Sequence, residues 1–178
     1  MISVITCSRP QNVLYVDDLL KVLREYQIIP TVFKDTQLKT PPDNKYIAWY
    51  VFRQAAKTSN DLLFLEDDVL PMSETALQTA INYVVPDNCA WSSLCLSTIH
   101  ASGRHPAAQF AMSQALKIPN KTLQALVNFA TTHQDDWLAV RGVDTAMAVV
   151  GKYSKWQFEQ SSLACFEHVG KISVAHSG

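Results

Sequence analysis

With 178 residues, 48% of them hydrophobic, the chain is long enough for one domain around a core of its own. Lys and Arg number 15 against 16 Asp and Glu, a formal net charge of −1, so no overall basic excess draws the protein onto nucleic acid or an anionic membrane. No stretch reaches the roughly 18 apolar residues of a membrane span, and the short run after Met1 lacks the basic start of a secretory leader, which together predict a soluble, cytoplasmic protein.

In chain order, "ISVIT" (Ile2–Thr6) reads as a buried strand that stops at "CSRPQN", where Pro10 and Asn12 suit a turn. "LYVDDLLKVLREY" puts Leu19, Leu20, Leu23 and Tyr26 on one helical face. "IIPTVF" is a second strand, followed by a polar loop through "KTPPDN". "KYIAWYVFRQAAKT" carries Ile47, Tyr50, Val51 and Ala55 at helical spacing, and "DLLFL" is a third strand. Strand–helix–strand–helix–strand with short connections predicts an α/β fold, a mainly parallel sheet flanked by helices. The second half is less regular. "ETALQTAINYVV" reads as a helix, and "CAWSSLCL" as a strand leading into the loop "STIHASGRHPAA". "QFAMSQALKIP" reads as extended up to Pro119. "NKTLQALVNFA" is a short helix with Asn120 as N-cap. "HQDDW" reads as a loop, "VDTAMAVVGKY" as a helix opening near Asp144, and "SSLACFEHVG" closes the ordered pattern. There is no internal repeat, so residues 1–178 form a single domain. Cys7, Cys89, Cys95 and Cys165 form no CxxC pair and read as buried or partly buried thiols in a reducing compartment.

The chemistry concentrates at "LLFLEDDVLP". A continuous apolar strand runs into Glu66, Asp67 and Asp68, at the strand edge where parallel sheets bind ligands. Adjacent carboxylates there suit a hard divalent cation, Mn2+ or Mg2+, that shares its remaining positions with phosphate oxygens. A bare acidic triplet is equally compatible with solvated acids or with charge favoured at the start of the next helix.

"LFLEDDV" resembles the acidic motif of nucleotide-sugar glycosyltransferases of the GT-A fold. It is closest to the "LEDD" form of lipopolysaccharide and procollagen galactosyltransferases. "SSLACFEHVGKIS" is similar to a terminal pattern of such enzymes, including N-acetylglucosaminyltransferase IV relatives. "SQALKIPNKTLQALVNF" and "GVDTAM" resemble the stretches between. The resemblance implies a minimal, Rossmann-like GT-A domain, with residues 1–70 as the nucleotide-donor half and 71–178 as the acceptor and catalytic half. The short chain leaves little room for acceptor-binding insertions.

On this resemblance Asp68 contacts the metal, and His168 returns beside the acids as a second anchor for metal or diphosphate. Glu66 and Asp67 serve the donor, and Gly170 lets the backbone approach the phosphates. Asp144 is the catalytic base of an inverting transfer, with Asp136 as runner-up and Trp137 beside it as a sugar platform or a core residue. Thr6, Arg9, Asp35 and Arg53 are assigned to the donor nucleotide and its diphosphate. His100, Arg104 and His105 form a polar loop that meets the acceptor or is merely solvated. The donor implied is a nucleotide diphosphate sugar, a UDP-sugar in its favoured form. The acceptor stays open among glycan, protein, small molecule and modified DNA base, with a local basic patch of Arg104, Lys117 and Lys121 conceivable for the last. Alternatives are a non-catalytic nucleotide-sugar-binding or interaction module on the same fold, and a nucleotidyltransferase. Against the latter, "TCSRPQN" has no glycine for a phosphate loop.

Overall fold

The computed structural model describes residues 1–7, 13–35, 45–97, 99–111, 113–140 and 142–169. The elements are β1 (Ile2–Cys7), α1 (Val13–Glu25), β2 (Thr31–Asp35), α2 (Lys45–Ala56), β3 (Leu62–Leu65), β4 (Val69–Pro71) and α3 (Glu74–Asn82). They continue as β5 (Ser92–Ser93), β6 (Gly103–Pro106), a 3-10 turn at Ala107–Gln109, β7 (Ala115–Ile118), α4 (Asn120–Thr132), α5 (Gln134–Leu138), α6 (Val143–Ser154), β8 (Gln157–Gln160) and β9 (Phe166–His168).

The main sheet has the order β2-β1-β3-β7-β5-β8-β6. β1 pairs in parallel with β2 and β3, and β5 with β8, while β7 and β6 run antiparallel to their neighbours. Five strands therefore point one way and two the other, which gives the expected mainly parallel sheet an antiparallel insertion at its centre. Helices cover both faces, so every side chain of β3 is buried. The two-residue period of a strand sends Leu62 and Phe64 into a core with Phe52, Trp91, Leu126 and Phe158. Leu63 and Leu65 enter a second core with Leu19, Leu23, Leu77 and Phe166. β3 is thus the partition between two hydrophobic layers, which is why its sequence is uniformly apolar rather than alternating.

Several local expectations are corrected. "CAWSSLCL" yields only the two-residue β5 plus a bridge from Cys95 to Phe166. The extended reading of "QFAMSQALKIP" narrows to Ala115–Ile118, and the "GRHP" part of the expected loop is strand β6. "QDDWL" is a short helix because two acids in its first turn favour a helix start. Pro119, not Asn120, is the N-cap of α4; the Asn120 amide donates instead to Asp61 Oδ1 at 3.0 Å. Cys89, Cys95 and Cys165 are buried free thiols, and burial first, then the charges of Asp68 and Glu66, push Cys95 up to about 12. Among the described residues no helix is long and apolar enough to cross a membrane.

Candidate functional site

The three acids begin where β3 ends. The Glu66 amide donates to the Gln114 carbonyl at 2.8 Å, which prolongs the β3–β7 ladder by one bond. The Glu66 carboxylate is enclosed, and its Oε1 accepts from Ser113 Oγ at 2.6 Å. Asp67 is only 4% exposed. Asp68 turns the chain into β4, whose antiparallel partner is β9, with Val69 opposite His168. Asp68 Oδ2 lies 3.0 Å from His168 Nε2, and the Val169 amide donates to the Asp68 carbonyl at 2.8 Å. Phe166, fully buried, holds this return: its amide donates to Leu94 and its carbonyl accepts from Leu96. A histidine a hundred residues away in sequence is thereby held beside Asp68 by backbone bonds on both sides.

Burial, then the charge of Asp68, raises the Glu66 carboxyl to about 8; Asp144 and Asp67 add to the rise and the Ser113 hydroxyl opposes it. This rise favours the protonated form of Glu66, which relieves part of the repulsion among the three acids. The His168 imidazole is raised by its hydrogen bond to Asp68, with burial opposing. The charge of Asp144, in the first turn of α6, is felt at Glu66. Asp68 Oδ1 is buried and accepts no hydrogen bond among the described residues. An enclosed carboxylate oxygen without a donor, next to an imidazole and two further acids, fits a divalent cation. No group of three or more His, Cys, Asp or Glu side chains among the described residues forms a finished cage, so further ligands would come from a bound molecule.

Asp144 lies in the first turn of α6, and its Oδ1 accepts from the Thr145 amide at 2.8 Å. The helix is opened by Gly142, whose φ of 77° is a conformation glycine adopts without strain. Asp136 is exposed on α5. Trp137 is 6% exposed and packs against Trp49 at 4.8 Å between ring centroids, a core role that leaves no open face for a sugar. Thr6 and Asp35 lie at the carboxyl ends of β1 and β2 by backbone position, and their side chains fall outside the described part. Arg9 and Gly170 lie outside the described residues.

Arg53 sits at the carboxyl end of α2, in its last turn, and lines a cleft of about 450 Å³ with Lys57, Gln124 and Asn128. The opposite end of α2, at Lys45, reaches the α5–α6 turn, and eight residues of helix separate the two by about 12 Å. The patch of Arg104, Lys117 and Lys121 does not form: Lys117 is 7% exposed and donates to the Ile81 carbonyl at 2.6 Å. His105 stacks on Phe158 at 5.3 Å between centroids, and His100 meets the same ring edge-on at 5.1 Å. One residue beside the acids carried no signal in the sequence: Ser113 acquires its partner Glu66 only through tertiary pairing.

No protein-family model and no curated protein matches the chain. Solved structures do. A glycosyltransferase involved in glycosylation of the major capsid of PBCV-1 aligns over 98% of this chain and 95% of its own, at a TM-score of 0.50 and 12% identity. The Drosophila β-1,4-galactosyltransferase 7, as a mutant in complex with manganese, UDP-Gal and xylobiose, aligns over 96% of this chain and 71% of its own, at 0.54 and 10%. GlyE of Streptococcus pneumoniae aligns over 97% and 55%, at 0.53 and 10%. The fold is that of a GT-A-like glycosyltransferase. At such identities the likeness reaches the fold and selects no subgroup, the "LEDD" galactosyltransferases included. On this fold, Glu66, Asp67 and Asp68 follow directly on the carboxyl end of β3, which lies between β1 and β7.

Proposed function

We propose that the protein is a metal-dependent glycosyltransferase that moves a sugar from a nucleotide diphosphate sugar to an acceptor hydroxyl. The observation that carries the reading is the Asp68–His168 pair at the end of β3, with one enclosed Asp68 oxygen lacking a donor among the described residues. On a sheet of this kind, that edge is where ligands sit. The galactosyltransferase 7 complex, which holds manganese and UDP-Gal on a similar fold, favours Mn2+ and a UDP-sugar, and the imidazole of His168 also suits Mn2+ better than Mg2+.

Asp68 and His168 would hold the cation, and Asp67, with protonated Glu66 behind it, would face the donor ribose. Thr6 and Asp35, at the carboxyl ends of β1 and β2, would serve the donor nucleotide, and Arg9 is assigned to it from the sequence alone. When bound, the cation neutralises the diphosphate and stabilises the nucleoside diphosphate as it departs. Asp144, rather than the exposed Asp136, takes the proton of the acceptor hydroxyl. The acceptor oxygen then bonds to the anomeric carbon from the face opposite the diphosphate. The bond from that carbon to the phosphate oxygen breaks, and its electron pair leaves with the nucleoside diphosphate, inverting the anomeric centre. Glycans, proteins, small molecules and modified DNA bases all supply such a hydroxyl.

The test is release of nucleoside diphosphate from a panel of nucleotide sugars with Mn2+. Asp68→Ala should lower the rate by about 100-fold or more, as expected for loss of one electrostatic stabiliser. Asp144→Asn should lower transfer about 100- to 10,000-fold while donor binding persists. Binding without turnover in the native protein would make it a non-catalytic nucleotide-sugar module. Failure to bind any nucleotide sugar, with or without metal, would sink the donor-site reading.

A further inference from the structure

Lys45 is the first residue of α2 and is 2% exposed. A cation is unfavourable at a helix N-terminus, and a buried ammonium costs more still unless it is well paired. Its surroundings supply the pairing. Nζ donates to the Val140 carbonyl and lies over two aromatic rings, 5.2 Å from the centroid of Tyr46 and 5.8 Å from that of Trp137. Trp137 belongs to a small core cluster with Ala130 of α4 and Ala146 of α6. α2 itself is anchored, since Ala48, Val51, Phe52 and Ala55 are fully buried. Val140 precedes Gly142 by two residues, and the first bond of α6 runs from the Ala146 amide to the Gly142 carbonyl at 3.2 Å. Asp144 lies inside that first turn.

We infer that Lys45 is a positioning residue: it ties the α5–α6 turn to the rigid N-terminus of α2 and so sets where the Asp144 carboxylate stands against the acids of β3. The inference rests on the reading of Asp144 as base for its catalytic consequence, but the tie itself is measurable without activity. Beside the burial of Val143 and Ala146, the Lys45 bond to Val140 and its two ring contacts are the described polar ties that fix the register of this turn, and that register shifts when the ammonium goes. A displacement of about 1 Å is enough to cost up to roughly 100-fold in rate.

The experiment compares native protein with Lys45→Met, Lys45→Arg and Trp137→Phe by amide hydrogen exchange and by steady-state kinetics with nucleotide sugar and Mn2+. In Lys45→Met the amides of 143–146 should exchange about tenfold faster or more, a local opening. The kcat should fall about 10- to 100-fold with the donor KM little changed. Lys45→Arg, which keeps a charged donor, should restore most of the protection and of kcat. Should the Met variant fail to fold, the Arg and Phe variants carry the test, with Trp137→Phe giving an intermediate loss of protection. Native exchange at 143–146 in a folded Lys45→Met protein overturns the inference. So does fast exchange with native kcat while Asp144→Asn is inactive. If instead Asp144→Asn turns over normally, the base assignment fails, and exchange alone decides whether Lys45 holds the turn.

Discussion

His100 shows how a single side chain at the far side of the sheet from the acids responds to pH. Its imidazole is pushed down from the ordinary histidine value by burial first and by the neighbouring His105 second. Its Nε2 is buried with no partner among the described residues, so the folded protein prefers the neutral ring. A histidine lowered on folding leaves stability intact above its unfolded pKa and loses it as pH falls through the folded one. Urea midpoints of native protein and His100→Gln should therefore agree near about pH 8 and diverge near about pH 5, with the variant losing less. An equal loss in both proteins would show that His100 stays solvated. The same logic separates residues in the site: Glu66 is neutralised by its enclosure, whereas Asp68 gains an imidazole partner. Nothing in "EDD" distinguishes the two, because the difference is made by the burial around Glu66 and by His168 beside Asp68.

At the scale of elements, α6 docks on the 3-10 turn with unusual intimacy. A Cβ on Gly151 would run into the Ala107 side chain and lie 3.1 Å from the Ala107 carbonyl carbon. Neither neighbour is the flexible end of a long side chain, so α6 would have to move. Gly151→Ala gains about 1 kcal/mol of helix propensity and should still lower stability by about 1–3 kcal/mol through overpacking, read as a lower urea midpoint. A raised midpoint would mean that the helix has room to shift. Because α6 also carries Asp144, a shift there reaches the site. The sequence marks Gly151 as a weak point in a helix; the contact with Ala107 that demands it is not local.

For the whole molecule, stability and site are joined through β9. Phe166 fills the second core beside Leu63, Leu65 and Leu77, while two residues on His168 meets Asp68. Phe166→Ala should cost about 3–5 kcal/mol, as for other buried phenylalanines. It should also weaken Mn2+-dependent donor binding at temperatures where the protein is still folded. Thermal unfolding and titration with a UDP-sugar would check both, and unchanged binding in the folded variant would uncouple β9 packing from the site.

The sequence by itself determined the repeating strand–helix order of the first half, the uniformly buried β3 and the placement of acids at its carboxyl end. These follow from local periodicity, which is read within a dozen residues. It also pointed to His168, through a terminal pattern rather than through physics. Only the tertiary structure decided that β7 enters the sheet antiparallel beside β3 and that β6 and β8 close its far side. It alone raised the Glu66 carboxyl, put Trp137 in the core and gave Lys45 its bond to Val140. Each of these depends on which distant surfaces are pressed together and shut away from water, and burial of that kind has no signature in neighbouring residues.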